Sequence, residues 1–529
     1  MKRYLFFAFS ALVMASACQK DSINNVDDTS PTGPGNPTSS SLSLSRPVMD
    51  VGTIAGFIDT FTVQAGIDWA ITLSAGAETW LKLDTLKGGS GATVVKLSVI
   101  ANNTSATKTG TLTVSPVGAS TATPQVITVK QQLYSLLWQK AFNILGSSSI
   151  QDVIQDTDGG YVYSGSAVVT GSSYGKGWVF KTDANGNKLW ETSAQVTGYL
   201  NSIVKTPDGG YVTAGHRNNI TPTGSYTGTD LVVVKLNASG TIVWEKIFGG
   251  GGDDFGNKIL NTADGGYLIA ALTTSSDGDV SANHGGYDTW LIKVDANGNK
   301  VWEKTYGGSG WDGDGTIATT ADGGYLLAAY SSSNDGDISG GHGGGDVVIY
   351  KLNAGGNKIW TKLYGGAKWD SPASIIATND GGSIIVGSTD SNDGDVSGQH
   401  GNDEDMWVLK LDNNGQKTWQ ATLGSTSWEN GYSIAQLTDG SYMAFGFSIG
   451  DDGDVSGNHG DKDYWVVKLN SAGKKLWQNS FGSPGEELPG AITATTDGGF
   501  VVTGYSSADG GDVTGINGIS KGWVVKCKP

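Results

Sequence analysis

The chain has 529 residues, with 81 glycines and 17 tryptophans but only 16% charged residues, which favours short strands and tight turns over helices. A formal net charge of −17 excludes nucleic acid and anionic membrane surfaces as partners, since both are bound by Lys and Arg that neutralise phosphates. Neutral glycans, other proteins and cations stay compatible with it, and the expected fold class is all-β.

At the N-terminus Lys2 and Arg3 precede the apolar run "YLFFAFSALVMASA", which leads through small residues to Cys18. This is the pattern of a secretory signal, and the run is too short to remain as a spanning helix of the mature protein. "ASAC" resembles a lipobox, with Ala15 where leucine is commoner, and "QKDS" resembles the tag of Bacteroidetes surface lipoproteins. The resemblance implies removal of residues 1–17, acylation of Cys18, an outer-membrane lipid anchor and display at the cell surface. An ordinary secretory signal is the alternative. Cys527 is the only other cysteine, which leaves no internal disulfide and fits a small buried apolar residue.

Residues 18–41 are polar and rich in Pro, Gly, Ser and Thr, the composition of a flexible tether. From 42 to 132 the pattern changes to alternating strands such as "FTVQAG", "WAITLS" and "TGTLTVS", as in a small β-sandwich. This segment resembles a BACON domain in "DWAI", "WLKL", "GGSGA", "NNTSATKTGTLTV" and "ITVKQQ", although Lys108 stands where arginine is expected. The resemblance implies carbohydrate binding. A spacer that lifts the next domain off the membrane fits equally, and alternation predicts that Trp69 and Trp80 belong to the core.

Residues 136–529 are repetitive. "DGG" or "DGS" begins at Asp158, Asp208, Asp264, Asp322, Asp380, Asp439 and Asp497, 50 to 59 residues apart. Each full repeat carries four strand-like pieces, with "DGG" joining the first two and turns such as "DANGN" joining the last two. Four strands per unit around a ring is the plan of a β-propeller. Trp190, Trp244, Trp302, Trp360, Trp419 and Trp477 each mark a fourth strand, but none follows Trp523; the missing one is upstream, at Trp138. A closed seven-bladed ring with no open edge is therefore expected. The layout resembles WD-repeat propellers and the tandem "DGG…WVVKLD…GN…W" repeats of Bacteroidetes surface proteins.

If the strand order follows WD-repeat propellers, the loops leading into the first strand share a face with the loops between the second and third. Counted back from "DGG", one position of the leading loops holds Asp254, Asp312, Asp370, Glu429 and Glu487. The position before it holds Asp253, Trp311, Trp369, Trp428 and Glu486. Indoles stacked on sugar rings, with carboxylates accepting from hydroxyls, suit a glycan site. The other reading is structural: the acids cap the inner strands and the indoles pack between blades.

The second set of loops repeats "DGDVSANHGGYDTW". Asp277, Asp279, Ser281 and Asp288 stand at positions 1, 3, 5 and 12 of what resembles a calcium loop. The later copies supply Asp335, Asp337, Ser339 and Asp346; Asp393, Asp395, Ser397 and Glu404; and Asp452, Asp454, Ser456 and Asp463. Against calcium, Asp288, Asp346, Asp405 and Asp463 each lie two residues before an aligned strand residue, as Asp230 does in a repeat without the motif. Such an acid suits backbone amides. His284, His342, His400 and His459 occur one per loop, and a hydrogen bond from each to its own loop's Asp accounts for them more simply than zinc, which needs ligands converging on one ion.

There is no nucleophile elbow, phosphate loop or dinucleotide fingerprint, and a glycosidase would need two leading-loop acids at a suitable separation. The sequence therefore points to a monomeric, non-enzymatic surface lipoprotein that binds glycans, with a protein-interaction propeller as the alternative. Calcium is the only cofactor its motifs suggest.

Overall fold

The computed structural model describes residues 41–528 except 46–47, 52–57, 100–107, 119, 132–134, 144–145, 169–174 and 221–225. The signal segment, Cys18 and the tether as far as residue 40 lie outside the described residues. The chain divides into two compact units, Met1–Ser135 and Leu136–Pro529.

The first unit holds two sheets. One orders Leu42–Leu44, Ile58–Ala65, Gly91–Val99 and Leu81–Leu83; the other orders Val48–Val51, Gln125–Gln131, Lys108–Pro116, Trp69–Leu73 and Lys87–Gly88. Strand alternation sends Phe61, Val63, Val95, Leu97, Leu112, Val114, Ile127 and Val129 into one core with Trp69 and Trp80. Trp69 is wholly buried and Trp80 is 5% exposed, so both indoles fill the core and neither offers a face to a sugar.

The second unit repeats one design. In its third copy Asp254–Asn261, Tyr267–Thr273, Asp288–Val294 and Lys300–Tyr306 form an antiparallel sheet in that order. The same four-stranded sheet recurs over 312–364, 370–423 and 429–481. Gly265 and Gly298 take φ of 83° and 77°, the positive values that the two hairpin turns require. A largely buried third-strand lysine reaches back to each "DGG" or "DGS" aspartate. These pairs are Lys181–Asp158, Lys235–Asp208, Lys293–Asp264, Lys351–Asp322, Lys410–Asp380, Lys468–Asp439 and Lys526–Asp497, at 2.6 to 3.1 Å.

The first two copies depart from four separate strands each. A single 18-residue strand, Lys188–Lys205, is the fourth strand of one sheet and the first of the next, which fuses them into seven strands. The link "ETSAQVTGYLN" lacks the Gly-Gly or Gly-Ser pair that interrupts the later links, so the strand continues through the corner.

The last copy, Glu487–Ala494, Phe500–Ser506 and Lys521–Lys528, takes its fourth strand from Ser135–Phe142 at the other end of the unit. Trp523 Nε1 donates to Gln139 (2.7 Å), as Trp290, Trp407 and Trp465 donate to Glu303, Gln420 and Gln478 of their own fourth strands. Trp138 lies against Gly186 of the first copy, in the way that Trp190, Trp244, Trp302, Trp360 and Trp419 lie against the turn glycine of the copy after each. Ile150 and Val153 share a core with Ala491, Val501 and Val524. The first and last sheets thus meet through the contacts that join other neighbours, and Cys527 is fully buried in the last sheet.

Replacing Trp138 by Ala is expected to cost about 2–3 kcal/mol in denaturant unfolding, the range for a large side chain that is only partly buried. Leu137, 50% exposed on the same strand, should change stability by no more than about 0.5 kcal/mol when cut to Ala. Equal small effects would mean that this strand does not hold the two ends of the row together.

Candidate functional site

Both loop sets lie on one face, tied by hydrogen bonds. In the third copy Asp279 N donates to Gly249 O (2.9 Å) and Gly251 N to Asp277 (2.6 Å), which joins the "DGD" loop to the loop leading into the same sheet. Onward, Gly286 N donates to Gly310 O (3.1 Å) and Asp312 N to Tyr287 O (2.7 Å), which joins it to the next sheet. The repeated motif is a clamp between sheets.

Its carboxylates diverge, each toward a partner of its own. At position 1, Asp335, Asp393 and Asp452 accept the amides of Ser309, Ala367 and Thr426 at 2.7 to 2.8 Å, as Asp277 accepts that of Gly251. At position 3, Asp279, Asp337 and Asp395 pair with Lys300, Lys358 and Lys417 at 2.5 to 2.7 Å, and Asp454 pairs with Lys475. At position 5, Ser397 and Ser456 hold the side-chain amides of Gln420 and Gln478, while Ser281 and Ser339 are exposed.

At position 12, Asp288, Asp346 and Asp463 each accept the amide and Nδ1 of His284, His342 and His459, at 2.6 to 2.9 Å. His400 makes the same two bonds to Asp405, one residue beyond the expected Glu404. Calcium needs six to eight converging oxygens. Among the described residues no group of three or more His, Cys, Asp or Glu is placed to hold a metal.

The leading-loop acids expected to meet a sugar are turned inward. Asp254, Asp370, Glu429 and Glu487 are 0% exposed and Asp312 is 1% exposed. Asp254 accepts from the hydroxyls of Thr273 (2.5 Å) and Ser275 (2.8 Å) and from Gly250 N (2.9 Å). Glu487 accepts from the hydroxyls of Ser506 and Ser483 (both 2.6 Å) and from Ser483 N (2.7 Å). Two hydroxyls and one loop amide hold Asp312, Asp370 and Glu429 in the same manner. At 1% exposure or less and with three hydrogen bonds each, these five acids are turned into the junctions rather than out to a ligand.

Each also faces the acid of the preceding clamp. Asp230 and Asp254, Asp288 and Asp312, Asp346 and Asp370, Asp405 and Glu429, and Asp463 and Glu487 close in pairs on Gly249, Gly307, Gly365, Gly424 and Gly482. A methyl group on any of these glycines would overlap the carboxylates, which is why the link begins with glycine. Burial pushes Asp370 up to about 6, against the pull of hydrogen bonds from Thr389, Gly366 and Ser391 and with the Asp346 charge adding to the rise. Asp254, Asp288, Asp346, Asp405, Glu429 and Glu487 are raised with burial as the leading cause. At the hairpin turns the sign reverses. The hydrogen bond from Lys235 leads in holding Asp208 down at about 2, and Lys351 holds Asp322 well below the carboxylate range.

Several residues that reach the surface stand one residue before a paired acid, although Thr229 before Asp230 and Gly345 before Asp346 are buried. Tyr287 and Trp311 precede Asp288 and Asp312, and their rings lie 5.8 Å apart. Tyr330 stands between Trp311 (5.9 Å) and Trp369 (6.1 Å). Glu404 precedes Asp405 and accepts from Trp428 Nε1 (3.0 Å) and Asn430 Nδ2 (3.2 Å). Lys462 precedes Asp463; it pairs with Glu486 (2.5 Å) and sits 5.5 Å over the rings of both Trp428 and Phe447. Tyr505 also donates to Glu486 (2.7 Å). Burial pushes Glu486 up, but Lys462 and Tyr505 outweigh it and hold the carboxyl below its usual value.

Trp311, Trp369 and Trp428 are all half-buried. Asn430, Phe447, Lys462 and Tyr505 escaped the sequence reading. The residue before the paired aspartate, Tyr287, Glu404 or Lys462, was its one available signal.

No family model matches the sequence, and no curated protein matches it. Among solved structures the chain is similar to a Bacteroides caccae protein of unknown function, at 12% identity and TM-score 0.34, over 63% of this chain and 94% of that one. It is also similar to the Neurospora crassa Pan2 WD40 domain, at 10% identity and TM-score 0.42, over 74% and 95% of the two chains. A stretch covering 20% of the chain is 28% identical to a Bacteroides ovatus GH5 xyloglucanase in complex with a XXXG heptasaccharide, at TM-score 0.16; the chain spans 21% of that enzyme chain. The class defined by the row of four-stranded antiparallel sheets is the β-propeller.

Two measurements check the roles given to the acids. Carboxyls raised by folding contribute stability that is complete below their unfolded value near 4 and is lost as pH rises through their folded values, about 6 for Asp370. Carboxyls lowered by folding contribute stability present above about 4 and lost as pH falls toward about 2. The melting temperature is therefore expected to peak at about pH 4–5 and to decline toward pH 7; a steady rise to pH 7 would contradict the buried pairs. Calcium and a chelator are each expected to leave the melting temperature unchanged, and a calcium-dependent increase would restore the ion-loop reading.

Proposed function

We propose that this chain is a non-enzymatic surface lipoprotein, anchored through Cys18, whose first unit is a spacer and whose second is a closed seven-bladed propeller that binds neutral glycans. The observation that carries this is the surround of Trp428. Its indole N–H is fixed by Glu404, Lys462 lies over its ring, and Asn430 and Glu486 add polar groups beside it. A fixed, half-exposed ring edged by donors and acceptors suits a sugar, whose apolar face stacks while its hydroxyls take hydrogen bonds. Arg217 is the only arginine in residues 136–529 and is bound to Asp230 (2.9 Å), so no arginine fork is left for an anionic sugar. Glu486 is held ionised by Lys462, which disfavours it as the protonated acid of a glycosidase.

A protein partner is the second reading. It is favoured by exposed apolar side chains that recur on fourth strands at Leu189, Val243, Val301 and Ile359.

A glycan array separates the readings. Trp428→Ala and Lys462→Gln are each expected to weaken retention of the bound glycan at least tenfold, about 1.4 kcal/mol, while Leu189→Ala changes nothing. Absence of glycan retention by the unaltered protein, together with a co-purifying partner lost on changing Val243 and Val301, would favour the second reading. Cleavage of an array glycan would make the protein an enzyme.

A further inference from the structure

Among the described residues of the repeated strands, Asp314 alone combines a left-handed backbone with a side chain larger than hydrogen. It lies on the strand Asp312–Thr319 with φ of 55°, a value shared among described non-glycine residues only by Asn517. Two residues after the paired acid the other copies place Gly256, Pro372, Gly431 and Pro489, so the fold does not ask for a carboxyl here. Glycine would take the same backbone with less strain, and strain kept at a single site is a mark of function. The first strand of every copy slips register at this point, and in this copy Gly313 pairs with Tyr330 and the next pair is Thr316 with Ala328; only here does a left-handed non-glycine residue sit in the slip. Bulges of this kind re-aim side chains.

The surroundings say what the side chain is aimed at. Asp312, two residues earlier, accepts three hydrogen bonds. Asp314 is half-buried and has no hydrogen-bond or ion-pair partner among the described residues. Burial alone pushes its carboxyl up to about 6. Gly313 beside it packs on the indole nitrogen edge of Trp311, and the Tyr287 hydroxyl, whose ring is 5.8 Å from that indole, feels the Asp314 charge. A carboxyl next to two half-buried rings, partly stripped of water and with its hydrogen-bonding capacity unused, is poorly placed for stability and well placed for a polyol.

We infer that Asp314 is a ligand-positioning residue, whose carboxyl takes neighbouring hydroxyls of a neutral sugar laid against Trp311 and Tyr287. This rests on the glycan-binding reading and adds to the Trp428 surround a second point of contact on the same face. A ligand that reaches both would be an oligosaccharide rather than a single sugar.

The test uses the full chain with cellohexaose, xylohexaose and mannohexaose as probes, titrated by calorimetry alongside thermal unfolding. Asp314→Gly is expected to raise the melting temperature by relieving the left-handed strain and to weaken the best-bound hexasaccharide at least tenfold. Asp314→Asn keeps the backbone preference and hydrogen-bonding capacity, and should weaken it less, by about two- to fivefold. Binding by Asp314→Gly equal to that of the unaltered protein would overturn this inference and leave the glycan reading standing. No binding of any probe by the unaltered protein would overturn both. A fall in melting temperature for Asp314→Gly, with binding lost in proportion, would make the residue structural.

Discussion

Every sheet of the second unit is apolar on both faces, and the rest of the structure depends on that constraint. Second strands such as Tyr267–Thr273 and third strands such as Asp288–Val294 are buried at every residue, so each sheet must be covered from both sides. A row of such sheets has two uncovered ends unless the last is joined to the first. The strand Ser135–Phe142, paired to the last sheet and carrying Trp138 against Gly186 of the first copy, makes that join. The turn glycines that accept the fourth-strand tryptophans are the fixed points along the row.

Sheets pressed together on their apolar faces still have polar loops at their rims, and there the protein buries acids in pairs. Five junctions bring two carboxyls onto one glycine, and hydroxyls, loop amides and in four cases a histidine offset their desolvation. In the remaining junction Arg217 takes the place of the histidine at Asp230. The outcome is a rim on which the residue just before most of the paired acids reaches the surface in a fixed position. Tyr287, Glu404 and Lys462 vary freely there without disturbing the junction beneath, which is how one repeated scaffold presents different chemistry around its face.

Much of the fold was legible because it rests on local rules. The "DGG" and "DANGN" turns need glycine at positive φ, the strands alternate or run wholly apolar, and the count of fourth-strand tryptophans places the missing one upstream at Trp138. The histidine-to-aspartate bond in each clamp also follows from spacing alone. The site was legible only in part. Trp311, Trp369 and Trp428 stand on the expected face, but the acids that follow them point the other way, since successive residues of a strand face opposite sides.

Spacing that resembles a calcium loop says which residues are near one another, not where their oxygens aim. Asp277, Asp279 and Asp288 aim at an amide, a lysine and a histidine. Glu404 and Asp405 show the limit most plainly: loop spacing puts Glu404 at position 12 and strand alignment puts Asp405 beside its counterparts, and the backbone gave Asp405 to the junction and Glu404 to Trp428.

The sequence by itself determined the all-β class, the repeat, the turn positions and the set of residues gathered on one face, because each follows from backbone conformation and strand periodicity. Only the tertiary structure decided which carboxyls are buried and which are presented, and it brought Trp428, Lys462 and Glu486 together from two junctions. Those outcomes depend on contacts between neighbouring sheets, whose partners lie more than twenty residues apart and leave no local trace in the chain.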